Sequence, residues 1–202
     1  HLYARRQRQM CIRDSIQDGD ENYSWPTLED DAACALCYTS GTTGNPKGVL
    51  YSHKSNVIHA QAALTAMTIK PDDTILMVVP LFHVLAWGIP YFGPMNGLKL
   101  VMPGMQMEGE PLFELIDQED VTLAFGVPTI WMGLLAYCRD NNKILSSVKN
   151  TIIGGSALSL ATLQEFDEVH DVNVIHAWGM TEMSPVGLSL IHISEPTRRV
   201  RI

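Results

Sequence analysis

The sequence has 202 residues, 46% of them hydrophobic, and a formal net charge of −8. That size and balance fit one globular domain or a piece of a larger one, and the acidic charge argues against a nucleic-acid partner. No apolar run approaches the ~20 residues of a membrane-crossing helix, no signal peptide opens the chain, and a cytoplasmic setting is expected.

In chain order, Ile16 to Asp31 is acidic and polar around Trp25-Pro26, and reads as a linker or edge segment. Ala32 to Tyr38 reads as a strand, its apolar run Ala32 to Leu36 buried, and a loop rich in glycine and hydroxyl residues follows. Val49 to Tyr51 is short and extended. Ser52 is placed to cap a helix running from His53 to about Met67, with Val57, Ile58, Ala62, Leu64 and Met67 at helical spacing. His53 and His59 on that helix are expected to be solvated or hydrogen-bonded structural groups. Pro71-Asp72-Asp73 is a turn, and Thr74 to Val79 is a buried strand ended by Pro80. Leu85 to about Met95 is helix-like, broken by Pro90 and Pro94.

Further strands are expected at Leu98 to Met102, Val121 to Phe125, Val148 to Ile153 and Asn173 to Ala177. Helices are expected from Glu110 to Glu119, from Pro128 through Leu135, and from a Ser159 cap through Val169. This alternation of apolar strands and amphipathic helices argues for an α/β fold, a mainly parallel sheet with helices on both faces. Ligands of such sheets gather at the carboxyl ends of the strands.

The two ends stand apart. Arg5, Arg6, Arg8, Arg13, Arg198, Arg199 and Arg201 make up half of the 14 basic residues. Met10 to Ser15 can be encoded as ATGTGTATAAGAGACAG, and Leu188 to Ile193 as its reverse complement. That relation fits a sequencing adaptor read through at both ends. Residues 1–15 and 188–202 are therefore expected to be adaptor-derived and to pack into no core. The segment 16–187 keeps 7 basic and 20 acidic residues, a net of −13. Cys34 and Cys37 form a C-x-x-C, but three residues apart on a strand they face opposite sides, so they are expected to be plain buried thiols in a reducing compartment.

Four motifs carry chemistry. The first is Tyr38-Thr39-Ser40-Gly41-Thr42-Thr43-Gly44-Asn45-Pro46-Lys47-Gly48. Its glycines let backbone N–H groups converge, and its hydroxyls and one ammonium suit a polyphosphate. It is not a Walker loop, because Lys47 is followed by Gly48 and not by Ser or Thr. The second is Pro80-Leu81-Phe82-His83, with Trp87 four residues on. The two side chains would share a face if the segment is helical, and a core tryptophan is the competing reading. The third is Gly154-Gly155-Ser156-Ala157, where the backbone could lie close to a flat ring. The fourth is Trp178-Gly179-Met180-Thr181-Glu182. No Gly-x-Ser-x-Gly elbow for a serine hydrolase appears.

Together these motifs resemble the adenylate-forming (AMP-binding) superfamily, in its acyl-CoA synthetase branch, and Phe82 to Pro90 is similar to the fatty-acyl and methylthio-propionate members. The resemblance implies a partial N-terminal large domain over 16–187, with the ribose-binding acid, hinge and C-terminal lysine lying outside this chain. It implies ATP around Thr39, Ser40, Gly41, Thr42, Thr43, Gly44 and Lys47. Adenine would lie along Gly154, Gly155, Ser156 and Ala157 and against Trp178 and Gly179. Thr181 would bond the α-phosphate, and Glu182 would hold Mg²⁺. His83 and Trp87 would border the acid, with Lys47, His83, Thr181 and Glu182 as the catalytic set. The implied reaction turns a carboxylic acid, a fatty or thioether acid, into an acyl-adenylate and then a coenzyme A thioester. A carrier-protein thiol, a luciferase-like oxidation or a non-catalytic nucleotide binder are the alternatives. The implied partners are a small-molecule acid, ATP and coenzyme A, without nucleic acid, and with room for a homodimer of the full-length parent. Trp178 stands where many members carry tyrosine, a mild departure.

Overall fold

The computed structural model describes residues 19–20, 22–39 and 44–190, the last three of these by their backbone. The chain builds a hairpin and a six-stranded sheet. In the hairpin, β1 (Ala33–Tyr38) pairs antiparallel with β2 (Gly48–Ser52), and α1 (His53–Ala66) follows directly. The large sheet takes β3 (Thr74–Met77), β4 (Lys99–Val101), β5 (Leu123–Gly126), β6 (Asn150–Ile153), β7 (Asn173–Gly179) and β8 (Val186–Leu190), in the order β4-β3-β5-β6-β7-β8. The first five in that order run parallel, and β8 is antiparallel to β7. Between them lie α2 (Ile89–Met95), α3 (Gly109–Gln118), α4 (Pro128–Asp140) and α5 (Leu160–His170).

Strand alternation splits the core in two. Leu76, Val78, Ala124 and Ile153 point to one face, under Leu112 and Ile116 of α3, Trp131 and Leu134 of α4, and Phe166 of α5. Ile75, Met77, Leu123, Phe125, Ile152 and Ile175 point to the other, under Ala60 and Ala63 of α1 and Ile89 and Phe92 of α2. The two faces follow from handedness. The step from β3 to β4 runs one way along the sheet and the later steps run the other, so right-handed crossovers place their helices on opposite faces. The expected α/β architecture is therefore observed, with helices on both faces.

Four local expectations need correction. The run Ala32 to Leu36 is not a buried strand, because β1 belongs to the hairpin and not to the large sheet. Only Cys37 of β1 is buried, while Leu36 and Tyr38 face outward across from Leu50 and Gly48. On α1 the buried face is Asn56, Ala60, Ala63 and the following Met67, and Val57, Ile58 and Ala62 are exposed. Small alanines let α1 approach α2 closely, and a polar Asn56 is tolerated because its Nδ2 donates to Cys34 Sγ at 2.9 Å. The third concerns Leu85 to Met95. Its start is a left-handed turn, with φ of 45° at Val84 and Leu85, 46° at Ala86 and 57° at Trp87, and only Ile89–Met95 is α-helical. Each such non-glycine residue costs about 1–2 kcal/mol, offset here by burying Val84, Ala86 and Trp87. The fourth is β8, which no sequence signal announced. Its backbone runs through residues 188–190; residues 1–15 and 191–202 lie outside the described residues.

The capping expectations hold. Ser52 Oγ accepts the N–H of Ser55 at 3.1 Å, Ser159 Oγ accepts that of Thr162 at 3.1 Å, and Pro128 is the first residue of α4.

Phe125 is fully buried and tilted against Phe92, so Phe125→Ala is expected to cost about 3–5 kcal/mol in urea unfolding, while Val57→Ser on the exposed face of α1 changes it by less than ~0.5 kcal/mol. Buried His170 and half-buried His59 set a pH dependence. His170 Nδ1 accepts the N–H of Leu145 at 3.3 Å, and His59 Nε2 accepts that of Val186 at 3.1 Å. Burial lowers both from the ordinary 6.5, with Glu165 opposing at His170. Their contribution is complete above pH 6.5 and lost as pH falls through the lower folded values. The urea midpoint is expected to drop on acidification below that point, and His170→Gln to flatten the drop.

Candidate functional site

A cleft of about 300 Å³ opens where the chain leaves β3, β6 and β7. His83 and Trp87 reach it from the left-handed turn after β3. Gly154 and Gly155 reach it from the end of β6, and Trp178, Gly179 and Thr181 from the end of β7 and the turn beyond. Three of the four motifs thus share one cavity. The buried residues under it are apolar, so the polar groups sit at its rim.

Trp87 reconciles the two readings of that residue. It is only 6% exposed, so it is a core tryptophan, and it also forms a wall of the cleft. A Cβ on Gly154 would meet Trp87 Cη2 at 3.2 Å and the carbonyl of Ala177 at 3.0 Å. One side of Gly154 thus packs on the chain's own indole, while Gly154 and Gly155 still line the open cleft. The helical face expected for His83 and Trp87 is absent, because the residues between them are left-handed; both line the cleft by way of that turn. Trp178 is 47% exposed and offers a free aromatic face at the rim. Ser156 and Ala157 continue past Gly155 without lining the cleft, and the Ser156 carbonyl lies 3.2 Å from His176 Nε2.

Of the hydroxyl-rich loop, Ser40, Gly41, Thr42 and Thr43 lie outside the described residues. Its neck is described. The Thr39 N–H donates to the Lys47 carbonyl at 2.9 Å, and the Lys47 N–H donates to Thr39 Oγ1 at 3.2 Å. These bonds close the hairpin at the loop's base, and leave Gly44 and the Lys47 side chain exposed. Thr39, Gly44 and Lys47 do not line the cleft.

Tyr51 joins the loop to the Thr181–Glu182 pair. It stands four residues after Lys47 on β2, and its phenol donates to the backbone carbonyl of Thr181. Burial, then the neighbouring Cys37, Glu182 and Tyr91, push that phenol up to about 12. The strand leaving the glycine-rich bend and the turn Thr181–Met183 are therefore in contact, with the Glu182 carboxylate close enough to act on Tyr51. Sequence reasoning passed over Tyr51 as the end of a short extended segment. The available signal was alternation, since Val49 and Tyr51 turn inward while Gly48 and Leu50 face out. Ala177, Pro185 and Val186 also line the cleft without having been singled out.

Glu182 is exposed. Among the described residues no three His, Cys, Asp or Glu side chains cluster as a metal cage. A lone exposed carboxylate is chemically suited to Mg²⁺, which takes one or two carboxylates and completes its shell with phosphate and water oxygens. Cys34 and Cys37 carry free thiols, Cys37 buried and Cys34 half-buried against Asn56.

Known proteins share this sequence and fold. The family model described as AMP-binding enzyme matches residues 5–201. A medium-chain-fatty-acid–CoA ligase of Ectopseudomonas oleovorans is 51% identical over 180 residues, 88% of this chain and 33% of that protein. A 3-methylmercaptopropionyl-CoA ligase of Ruegeria lacuscaerulensis is 48% identical over 182 residues, 89% of this chain and 34% of that protein. The chain thus spans about a third of the length of these relatives. Among solved structures, o-succinylbenzoate coenzyme A synthetase from Bacillus subtilis, in complex with ATP and magnesium ion, has a TM-score of 0.75 at 26% identity, over 89% of this chain and 37% of that one. With nearly all of its length matched, and three motifs meeting at the strand ends, this chain belongs to the AMP-binding enzyme family.

Proposed function

We propose that this chain is part of the large N-terminal domain of an acyl-CoA synthetase, which activates a fatty or thioether carboxylic acid with ATP and passes it to coenzyme A. The observation that carries the reading is the cleft joining His83, Trp87, Gly154, Trp178 and Thr181, with Tyr51 tying its rim to the strand that leaves Lys47. The 51% and 48% identities to ligases of medium-chain fatty acids and of 3-methylmercaptopropionate support the acid class. So does the cleft itself, whose Trp87, Val84 and Ala177 offer apolar surface to an alkyl or thioether tail and present no cation to a second carboxylate.

In this reading a carboxylate oxygen attacks the α-phosphorus of ATP, the α–β bridging bond breaks, and pyrophosphate leaves. The coenzyme A sulfur then attacks the acyl carbon, and AMP leaves. His83 borders the reacting carboxylate, and Trp178 and the Gly154 to Ala157 segment take the adenine. Thr181 donates to the α-phosphate, while Lys47, the hydroxyls from Thr39 to Thr43 and the loop's N–H groups hold the β- and γ-phosphates. These preorganised donors stabilise charge that grows on phosphate oxygens, which is the main demand of the first step. Glu182 would hold Mg²⁺, which supplies further charge neutralisation at the phosphates when bound. No side-chain nucleophile is required. Residues 1–15 and 188–202 remain, in this proposal, adaptor-derived, and the ligase works as a cytoplasmic enzyme.

Pyrophosphate exchange in the full-length enzyme tests the reading. A panel of acids is expected to give exchange with medium-chain fatty acids or 3-methylmercaptopropionate, and thioester only when coenzyme A is added. Exchange without thioester would move the acceptor to a carrier thiol or to oxidation, and binding without exchange would make the protein a non-catalytic homologue. Lys47→Ala is expected to weaken ATP binding by about 10- to 100-fold in calorimetry, the worth of a hydrogen bond to a charged group. The 202-residue chain by itself, spanning a third of its relatives, is expected to form no measurable acyl-CoA.

A further inference from the structure

We infer that Tyr51 is a positioning residue, one that fixes the Thr181–Glu182 turn against the strand leaving the phosphate loop through its phenol hydrogen bond to the Thr181 carbonyl. The inference rests on the proposed function for what the turn holds, but not for the contact itself. Its ground is topological. The hairpin β1–β2 and the six-stranded sheet are separate sheets, so no ladder of backbone hydrogen bonds sets the distance between Lys47 and Glu182. Side chains must set it. Tyr51 is 3% exposed, so its hydroxyl has little water to bond and is satisfied by Thr181.

The β7–β8 ladder flanks the turn but does not tie it to the hairpin. Within it the Met183 N–H donates to the Met180 carbonyl at 3.0 Å, and the Met180 N–H donates to the Pro185 carbonyl at 2.9 Å, both inside the same segment. From outside, Tyr51 reaches its front and His59 its far end, where Nε2 accepts the Val186 N–H at 3.1 Å. Both side chains come from the continuous β2–α1 unit that leaves the loop. The loop's neck at Lys47 and the turn are thereby held to one body.

The test uses Tyr51→Phe and Tyr51→Leu in the full-length enzyme. Both lack the hydroxyl, while only Leu also loses the ring. Without ligand, amide hydrogen exchange over residues 180–187 is expected to quicken in both. In calorimetry of ATP binding, half-saturation by Mg²⁺ is expected to rise about 3- to 10-fold in both, the worth of one hydrogen bond. The KM for the acid is expected to stay within about two-fold, because His83 and Trp87 are untouched. Unchanged exchange in both variants overturns the inference. So does a Mg²⁺ shift confined to Tyr51→Leu and proportional to its loss of stability, which would make Tyr51 a packing residue only. If wild-type enzyme binds no Mg·ATP, the proposed function fails, and the exchange measurement still judges the tie between Tyr51 and the turn.

Discussion

Burial of the parallel strands on both faces is the constraint from which the rest of this structure follows. Ile75 and Met77 of β3 enter one core while Leu76 enters the other, and β5 and β6 divide in the same way. A strand with no solvent face has no room for chemistry along its length. Polar groups are pushed to the carboxyl ends, where the chain must turn and where backbone N–H groups lose their ladder partners. His83, Gly154 and Thr181 are each among the first residues past such an end, although they are distant in sequence. The cleft is thus a consequence of topology, and its apolar wall is the core itself, exposed where the sheet stops.

That constraint also explains which parts of the fold the sequence could reveal. A strand buried on both faces must be largely apolar, so β3 and β5 stand out as short runs bounded by Pro, Gly or polar turns, and β6 and β7 through Ile152-Ile153 and Val174-Ile175. Helices α3 and α4 bury wide apolar stripes and are equally plain. Where burial is partial, the pattern misleads. The outward face of β1 carries Leu36 and Tyr38, apolar residues that a core strand would also carry, so hairpin and core strand read alike. In α1 the face that counts is made of Ala60 and Ala63, whose weak hydrophobicity is outweighed by the exposed Val57 and Ile58. The turn at Val84 to Gly88 defeats local reading for another reason. Leu, Ala and Trp all favour right-handed helix, and only the tertiary gain from seating Trp87 between Gly154 and the core makes the left-handed path worthwhile.

The site was more legible than its setting. Glycine-rich and hydroxyl-rich segments after strands are conspicuous because cores exclude them, and three of the four such motifs line one cavity. What stayed hidden was the means of holding them. Tyr51 and His59 look ordinary in sequence, since a tyrosine on a strand and a histidine on a helix have many structural uses. Their partners, the Thr181 carbonyl and the Val186 N–H, are backbone groups 130 and 127 residues away, which no local pattern can encode.

Those long-range ties bear on how two sheets can serve one reaction. A hairpin outside the main sheet lacks the automatic registration that a shared ladder supplies. The sequence offsets this by running β2 straight into α1, whose Ser52 cap leaves no slack between them. From that single rigid unit, Tyr51 and His59 reach both ends of the segment between β7 and β8. A tether of this kind constrains the turn most at Thr181, whose carbonyl Tyr51 holds, and at the Glu182 carboxylate beside it. Precision is therefore concentrated at Thr181 and Glu182, where a proposed phosphate site would be most sensitive to a displacement of about an ångström.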